Sequence, residues 1–359
     1  MNARAEALWA RMRAAGAATG ELPARAETPW YLVALTGIAA WIAAAFFIGF
    51  FAASFPDLWR TPALSVAIGG ACCAFALIVL RLLRGREFFE QFAIAFSLAG
   101  QFQCWRAFEH WSRYDKLDQA GVLLGPDWSR VWIGVALLAA VMYVLARHRM
   151  HRVLCGGIVA VAIAGECLSR AGFEAFATPV LAWVALALWW RSAAQDRFAP
   201  ALAPLAGATT LVALAVVAIV GGGKDLSAAV GRDIADADAM LGQALVMPLL
   251  PVCAWWLSSR RDMPARHRWA GIVLAAVFGL LWWRAPAVEV GVCAMLIGFA
   301  LYRPALLALG AIGLGVGLLR YYQQLDVPLI EKSYWLLAGG AASLLVRAVW
   351  LRSRTEEAA

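Results

Sequence analysis

Two carboxyl groups stand where carboxyls are costly: Glu166 in the apolar run 154–169, and Glu289 in the run 286–301. An ionisable group at the centre of a membrane segment costs roughly 2.5–3.5 kcal/mol on insertion scales, so one that is kept there is a candidate for holding a proton, an ion or a polar substrate. Further polar residues gather at the ends of other apolar runs: Gln101, Gln103, Arg106 and Glu109; Arg170 and Glu174; Arg284; Arg320, Tyr321 and Tyr322; Asp326, Glu331 and Lys332. If these ends converge, Glu166, Glu289, Gln101, Arg106, Arg320, Tyr321, Asp326 and Lys332 form a polar cluster open to one side of a membrane. The competing reading is architectural: each charge reaches the headgroups by snorkelling or makes one interhelical pair.

Other constellations carry less. Gln101 and Gln103 are two residues apart and so face different sides of a helix, which makes at least one of them a packing residue. His148 and His151 are three apart, close enough to share a helix side, but Arg147, Arg149 and Arg152 surround them and oppose a bound cation. The seven cysteines fall mostly inside apolar segments without metal-ligand spacing, so neither a disulfide framework nor a zinc site is expected. Gly221-Gly222-Gly223 lacks the lysine and hydroxyl context of a phosphate loop and reads as a turn. No catalytic residue, cofactor or metal is expected.

The elements that must position these groups follow from composition. The chain is 63% hydrophobic and 15% charged over 359 residues, too little polar surface for a water-soluble globule of this size. Runs of roughly 20 apolar residues, the length that crosses a bilayer core, recur from Trp30 onward. They predict an all-α, polytopic transmembrane helical bundle of about twelve spans near 30–55, 62–80, 88–108, 128–146, 154–169, 175–190, 201–220, 240–257, 269–283, 286–301, 304–320 and 329–351. Spans five, six, nine and ten are short and must thin the bilayer, draw on flanking polar residues or be re-entrant; one re-entrant pair would leave ten crossings.

Arginines at 81, 84 and 86, at 147, 149 and 152, at 191 and 197, and at 260, 261, 266 and 268 fill the even-numbered turns. By the positive-inside rule both termini are then cytoplasmic, with residues 1–29 and 352–359 as tails around the helical domain 30–351. The first run is too long for a cleaved signal peptide and reads as a retained helix. The net charge of +8 sits in these short clusters rather than on one exposed face, so nucleic acid is not an expected partner and membrane lipid is. Many of the 18 tryptophans, Trp189, Trp190, Trp255 and Trp256 among them, fall near helix ends and read as an aromatic belt. Gly310, Gly313, Gly315 and Gly317, with Gly339 to Ala342, predict close packing of the last two helices.

Arg320-Tyr321-Tyr322, Leu325-Asp326, Leu329, Lys332-Ser333, Leu336-Leu337 and Gly339-Gly340 resemble the C-terminal signature of a bacterial membrane family, the domain of unknown function 4401. Phe88-Phe89 through Phe96-Ser97-Leu98-Ala99-Gly100-Gln101 resembles the helix those proteins carry after a short basic turn. The resemblance implies a Gram-negative inner-membrane protein and a partner membrane protein encoded nearby, one bearing a Gly-Asp-Tyr motif. It brings no activity and no catalytic residues. Three functions stay in competition: a non-enzymatic subunit or regulator of an envelope complex, which leads; a proton- or ion-coupled secondary transporter; and, behind both, a lipid-linked glycan transferase, for which the outer turn at Asp57 is too small.

Overall fold

Prolines punctuate the apolar runs and set where several helices begin. A proline has no backbone N–H to leave unsatisfied in a first turn, and its fixed φ suits that turn. The computed structural model describes residues 3–17, 29–54, 61–83, 85–114, 127–170, 172–194, 197–220, 236–260 and 263–324, with Ile330, Ser333, Tyr334 and Leu337. Among them the helices are α1 (Ala3–Ala14), α2 (Trp30–Ser54), α3 (Pro62–Leu82), α4 (Glu87–Tyr114), α5 (Trp128–Leu145), α6 (Arg149–Ser169), α7 (Ala177–Ala194), α8 (Ala199–Val220), α9 (Asp236–Val246), α10 (Leu249–Ser259), α11 (Ala265–Leu281), α12 (Pro286–Ala300) and α13 (Pro304–Gln324). A single 3-10 turn, Glu174–Phe176, precedes α7, and no strand occurs among the described residues.

Among the described residues, six segments are long and apolar enough to cross a membrane: Pro62–Leu82, Trp128–Leu145, Arg149–Ser169, Ala199–Ile219, Ala237–Ser259 and Pro304–Gln323. Their outer faces carry large apolar side chains such as Leu137, Val144 and Ile312, and Phe46 of the apolar α2 is 76% exposed. Water would penalise so continuous an apolar surface, and lipid does not. The chain is an all-helical membrane protein.

Two larger cores organise the helices among the described residues. Ala44, Ala76, Val79, Ile94 and Phe96 join α2, α3 and α4, and Leu181, Leu214, Leu249, Cys253, Trp256, Val290 and Ile297 join α7, α8, α10 and α12. A smaller core of Cys73, Met142 and Cys155 joins α3, α5 and α6, and α6 also packs on α8, so α6 links the two groups.

The structure departs from the expected spans in three places. The fifth helix is not the short 154–169 segment but α6, whose 21 residues span about 31 Å. Its first turn holds Arg149, His151 and Arg152, whose polarity resembles a loop. Arg152 is held there by its Nε donating to the Ala146 carbonyl at 3.1 Å and by its guanidinium over the Tyr143 ring. The eighth span is interrupted between α9 and α10 at Met247–Pro248, because Pro248 lacks an N–H for the Ala244 carbonyl and its ring crowds that carbonyl. Trp189 and Trp256 are buried rather than at a lipid interface: Trp189 Nε1 donates to Thr210 Oγ1 at 3.0 Å, and Trp256 stacks on Trp190.

The close glycine packing is between α12 and α13. A Cβ at Gly310 would lie 2.6 Å from the Met295 backbone nitrogen and 2.8 Å from the Gly291 carbonyl oxygen, so only glycine admits this approach. Residues 339–342, expected to pack on this helix, lie outside the described residues.

Candidate functional site

Glu289 belongs to the first turn of α12, a helix of 15 residues that is buried on nearly every side. It is 1% exposed, and neither carboxylate oxygen has a hydrogen-bond partner among the described residues. Gly279 of α11 lies beside it. A Cβ placed at Gly279 would stand 3.5 Å from Glu289 Oε1 and 3.0 Å from the carbonyl oxygen of Met247, at the α9–α10 break. The carboxyl, an interrupted helix and a bare stretch of a third helix thus meet at one place. Cys293, one turn further along α12, interacts with Cys253 of α10.

The same end of the bundle holds two other predicted residues. Gly317 of α13 abuts Ala287 and Val288 of α12, and one turn on Arg320 Nη1 donates to the Ile219 carbonyl at 3.2 Å, closing the end of α8. Tyr321 meets Trp282 edge to face with ring centroids 5.3 Å apart. Glu289, Arg320 and Tyr321 therefore share one end of the α8, α11, α12 and α13 group.

Three of the remaining candidates, Glu166, Arg106 and Gln101, lie on α6 and α4. Glu166 is ion-paired with Arg170 one turn along α6. Arg106 is exposed on α4. Gln101 is buried, and its Nε2 donates to Ser97 Oγ at 3.2 Å and reaches Cys155 Sγ at 3.6 Å. Asp326 and Lys332 lie outside the described residues.

Gln101 leads to a group that sequence reasoning missed. Ser97 Oγ is 2.8 Å from His151 Nε2, and His151 Nδ1 is 3.5 Å from Cys155 Sγ. Ser97, His151 and Cys155 are each fully buried. The network pins α4 to the first two turns of α6, far from the end that holds Arg320. The signal was present as two polar pairs at helical i, i+4 spacing, Ser97 with Gln101 and His151 with Cys155, which face each other across the helices. His148, expected to share a side with His151, instead sits as the N-cap of α6 with its Nε2 3.3 Å from Glu90 Oε2.

The family model described as Domain of unknown function (DUF4401) matches residues 29–353, nearly the whole chain. The chain belongs to this family. Searches of curated proteins and of solved structures found no match. The matched segment of this chain takes in both the α4–α6 network and the Glu289 site.

Proposed function

We propose that this protein is a proton- or cation-coupled secondary transporter of the cell inner membrane, with Glu289 as the group that takes up and releases the coupling ion. The observation that carries the reading is a fully buried carboxyl, without a hydrogen-bond partner among the described residues, beside an interrupted helix. Charge there is expensive, and a bound proton or cation cancels that cost. Interrupted helices near a buried charge are a recurring way for transporters to expose backbone carbonyls to an ion without exposing them to lipid. A non-enzymatic subunit or regulator, the leading expectation from sequence, has no evident use for a buried carboxyl without a hydrogen-bond partner among the described residues.

In this reading the chain crosses the membrane twelve times with both termini cytoplasmic, and the Glu289 end of the bundle faces the periplasm. The arginine-rich turns at 81–86, 147–152 and 260–268 support that sidedness. Single cysteines at Asp57 and Asp236, in a background without the native thiols, are expected to react with an impermeant maleimide in intact cells. Protection of both would reverse the orientation.

Transport is tested in proteoliposomes carrying an internal pH dye and an imposed pH gradient, to which sodium, potassium or lithium chloride is added. Wild type is expected to dissipate the gradient with at least one cation, Glu289→Gln to lose that response, and Glu166→Gln to keep it because Glu166 serves only the Arg170 pair. A Glu289→Gln protein as active as wild type sinks the proposal. A silent wild type that copurifies with a second membrane protein returns the subunit reading to first place.

A further inference from the structure

A second place in the fold has the chemistry of a ligand site and is independent of Glu289. At the arginine-rich end of the first helix group, a cavity of about 600 Å³ opens between α3, α4 and the α5–α6 junction. Its lining is apolar at Leu77, Leu80, Leu145 and Ala146 and basic at Arg81, Arg147, His148 and Arg149, with Glu90 as the single acid.

The acid is already engaged. Glu90 Oε1 accepts the Gly85 N–H at 2.7 Å, and Oε2 lies 3.3 Å from His148 Nε2. Nearby Arg152 turns to the Ala146 carbonyl. Arg81, Arg147 and Arg149 have no carboxylate partner among the described residues, so three guanidinium groups against one carboxylate leave the lining net positive. Like charges gathered around one cavity repel unless an anion sits among them. The guanidinium fork matches the oxygens of a phosphate, and a cavity of this size lies within the range of ligand pockets. Basic pockets between membrane helices, with apolar surface running away from the charges, suit a phosphate joined to an acyl-bearing glycerol.

We infer that this cavity binds a phosphate ester, held by Arg81, Arg147 and Arg149, whether carried by an anionic phospholipid or by a small soluble molecule. The leucines of the lining accommodate the acyl-bearing end of a lipid, and a soluble ester would leave them to water. The inference does not depend on transport.

The test is native mass spectrometry of the full-length protein in detergent, titrated with phosphatidylglycerol, phosphatidylcholine or glycerol 3-phosphate. Wild type is expected to retain phosphatidylglycerol in preference to phosphatidylcholine, and Arg147→Gln/Arg149→Gln to bind it about ten-fold or more weakly, the scale of losing charge-assisted bonds. Arg260→Gln, which removes a basic charge from another turn, is expected to bind as wild type does. All three arginines changed are exposed, so the variants keep the wild-type melting profile, which is recorded in parallel. Arg147→Lys/Arg149→Lys separates fork geometry from charge and is expected to bind at an intermediate level. Retention of phosphatidylglycerol alone assigns the site to lipid, and binding of glycerol 3-phosphate at equal strength assigns it to a soluble ester. Failure of wild type to bind either, or equal binding by the Gln double variant, overturns the inference.

Discussion

Replacing Glu289 by methionine is expected to stabilise the purified protein by about 1–2 kcal/mol while abolishing coupled flux. Methionine is close to glutamate in length and shape, carries no group that must be bonded, and adapts to irregular space. The carboxyl of Glu289 is buried with both oxygens unpartnered, so its removal takes away a desolvation penalty and breaks no hydrogen bond among the described residues. Most core substitutions lower stability, which gives the opposite sign diagnostic value. Unfolding followed through tryptophan fluorescence in detergent measures it. A loss of more than about 1 kcal/mol would show that the carboxyl is structural, with partners in the working protein that hold α12 in place.

Gly310→Ala is expected to destabilise the protein by about 1–3 kcal/mol, and Gly315→Ala, five residues along the same helix, to leave it unchanged or up to about 1 kcal/mol more stable. The chemical change is identical in the two cases and only the surroundings differ. At Gly310 the added methyl meets the backbone of α12, at 2.6 Å from the Met295 nitrogen, and backbone cannot move aside as a flexible side chain can. At Gly315 nothing lies within 4 Å of the new atom, so the gain in helix propensity is all that remains. Because α12 carries Glu289, Gly310→Ala is also expected to reduce flux. Equal effects of the two substitutions would mean that the α12–α13 contact is not a tight backbone seam.

The helices were legible because an apolar run of bilayer length is hard to accommodate in any setting but a membrane helix. Where the reading slipped, hydropathy and backbone hydrogen bonding had parted company. The start of α6 was hidden by Arg149, His151 and Arg152, which look like a loop by polarity but continue the helix by geometry. The break after α9 was hidden in the opposite way, since Val246, Met247, Pro248 and Leu249 keep the run apolar while Pro248 removes a ladder bond.

The sites divide along the same line. A glutamate in an apolar run is visible in any sequence, so Glu289 stood out at once, whereas its lack of a partner depends on what α10 and α11 bring alongside. The bond between Ser97 and His151 joins residues 54 positions apart, and no local pattern says which polar groups will meet over that separation. Glu166 looked as conspicuous as Glu289, yet its ion pair with Arg170 sits at helical i, i+4 spacing and was readable from the sequence.

An unbroken transmembrane helix behaves as a stiff rod, because every turn is braced by the next. At Met247–Pro248 that bracing is missing, and α9 and α10 become two short levers that share a joint. Trp256 fastens the second lever into the protein core, while the first packs against Ala175 through Gly242, about one turn before the joint. A twist applied at the mouth of the bundle is therefore not averaged along 23 residues. It is delivered at the joint, where the Met247 carbonyl and the Glu289 carboxyl face the same bare patch of Gly279.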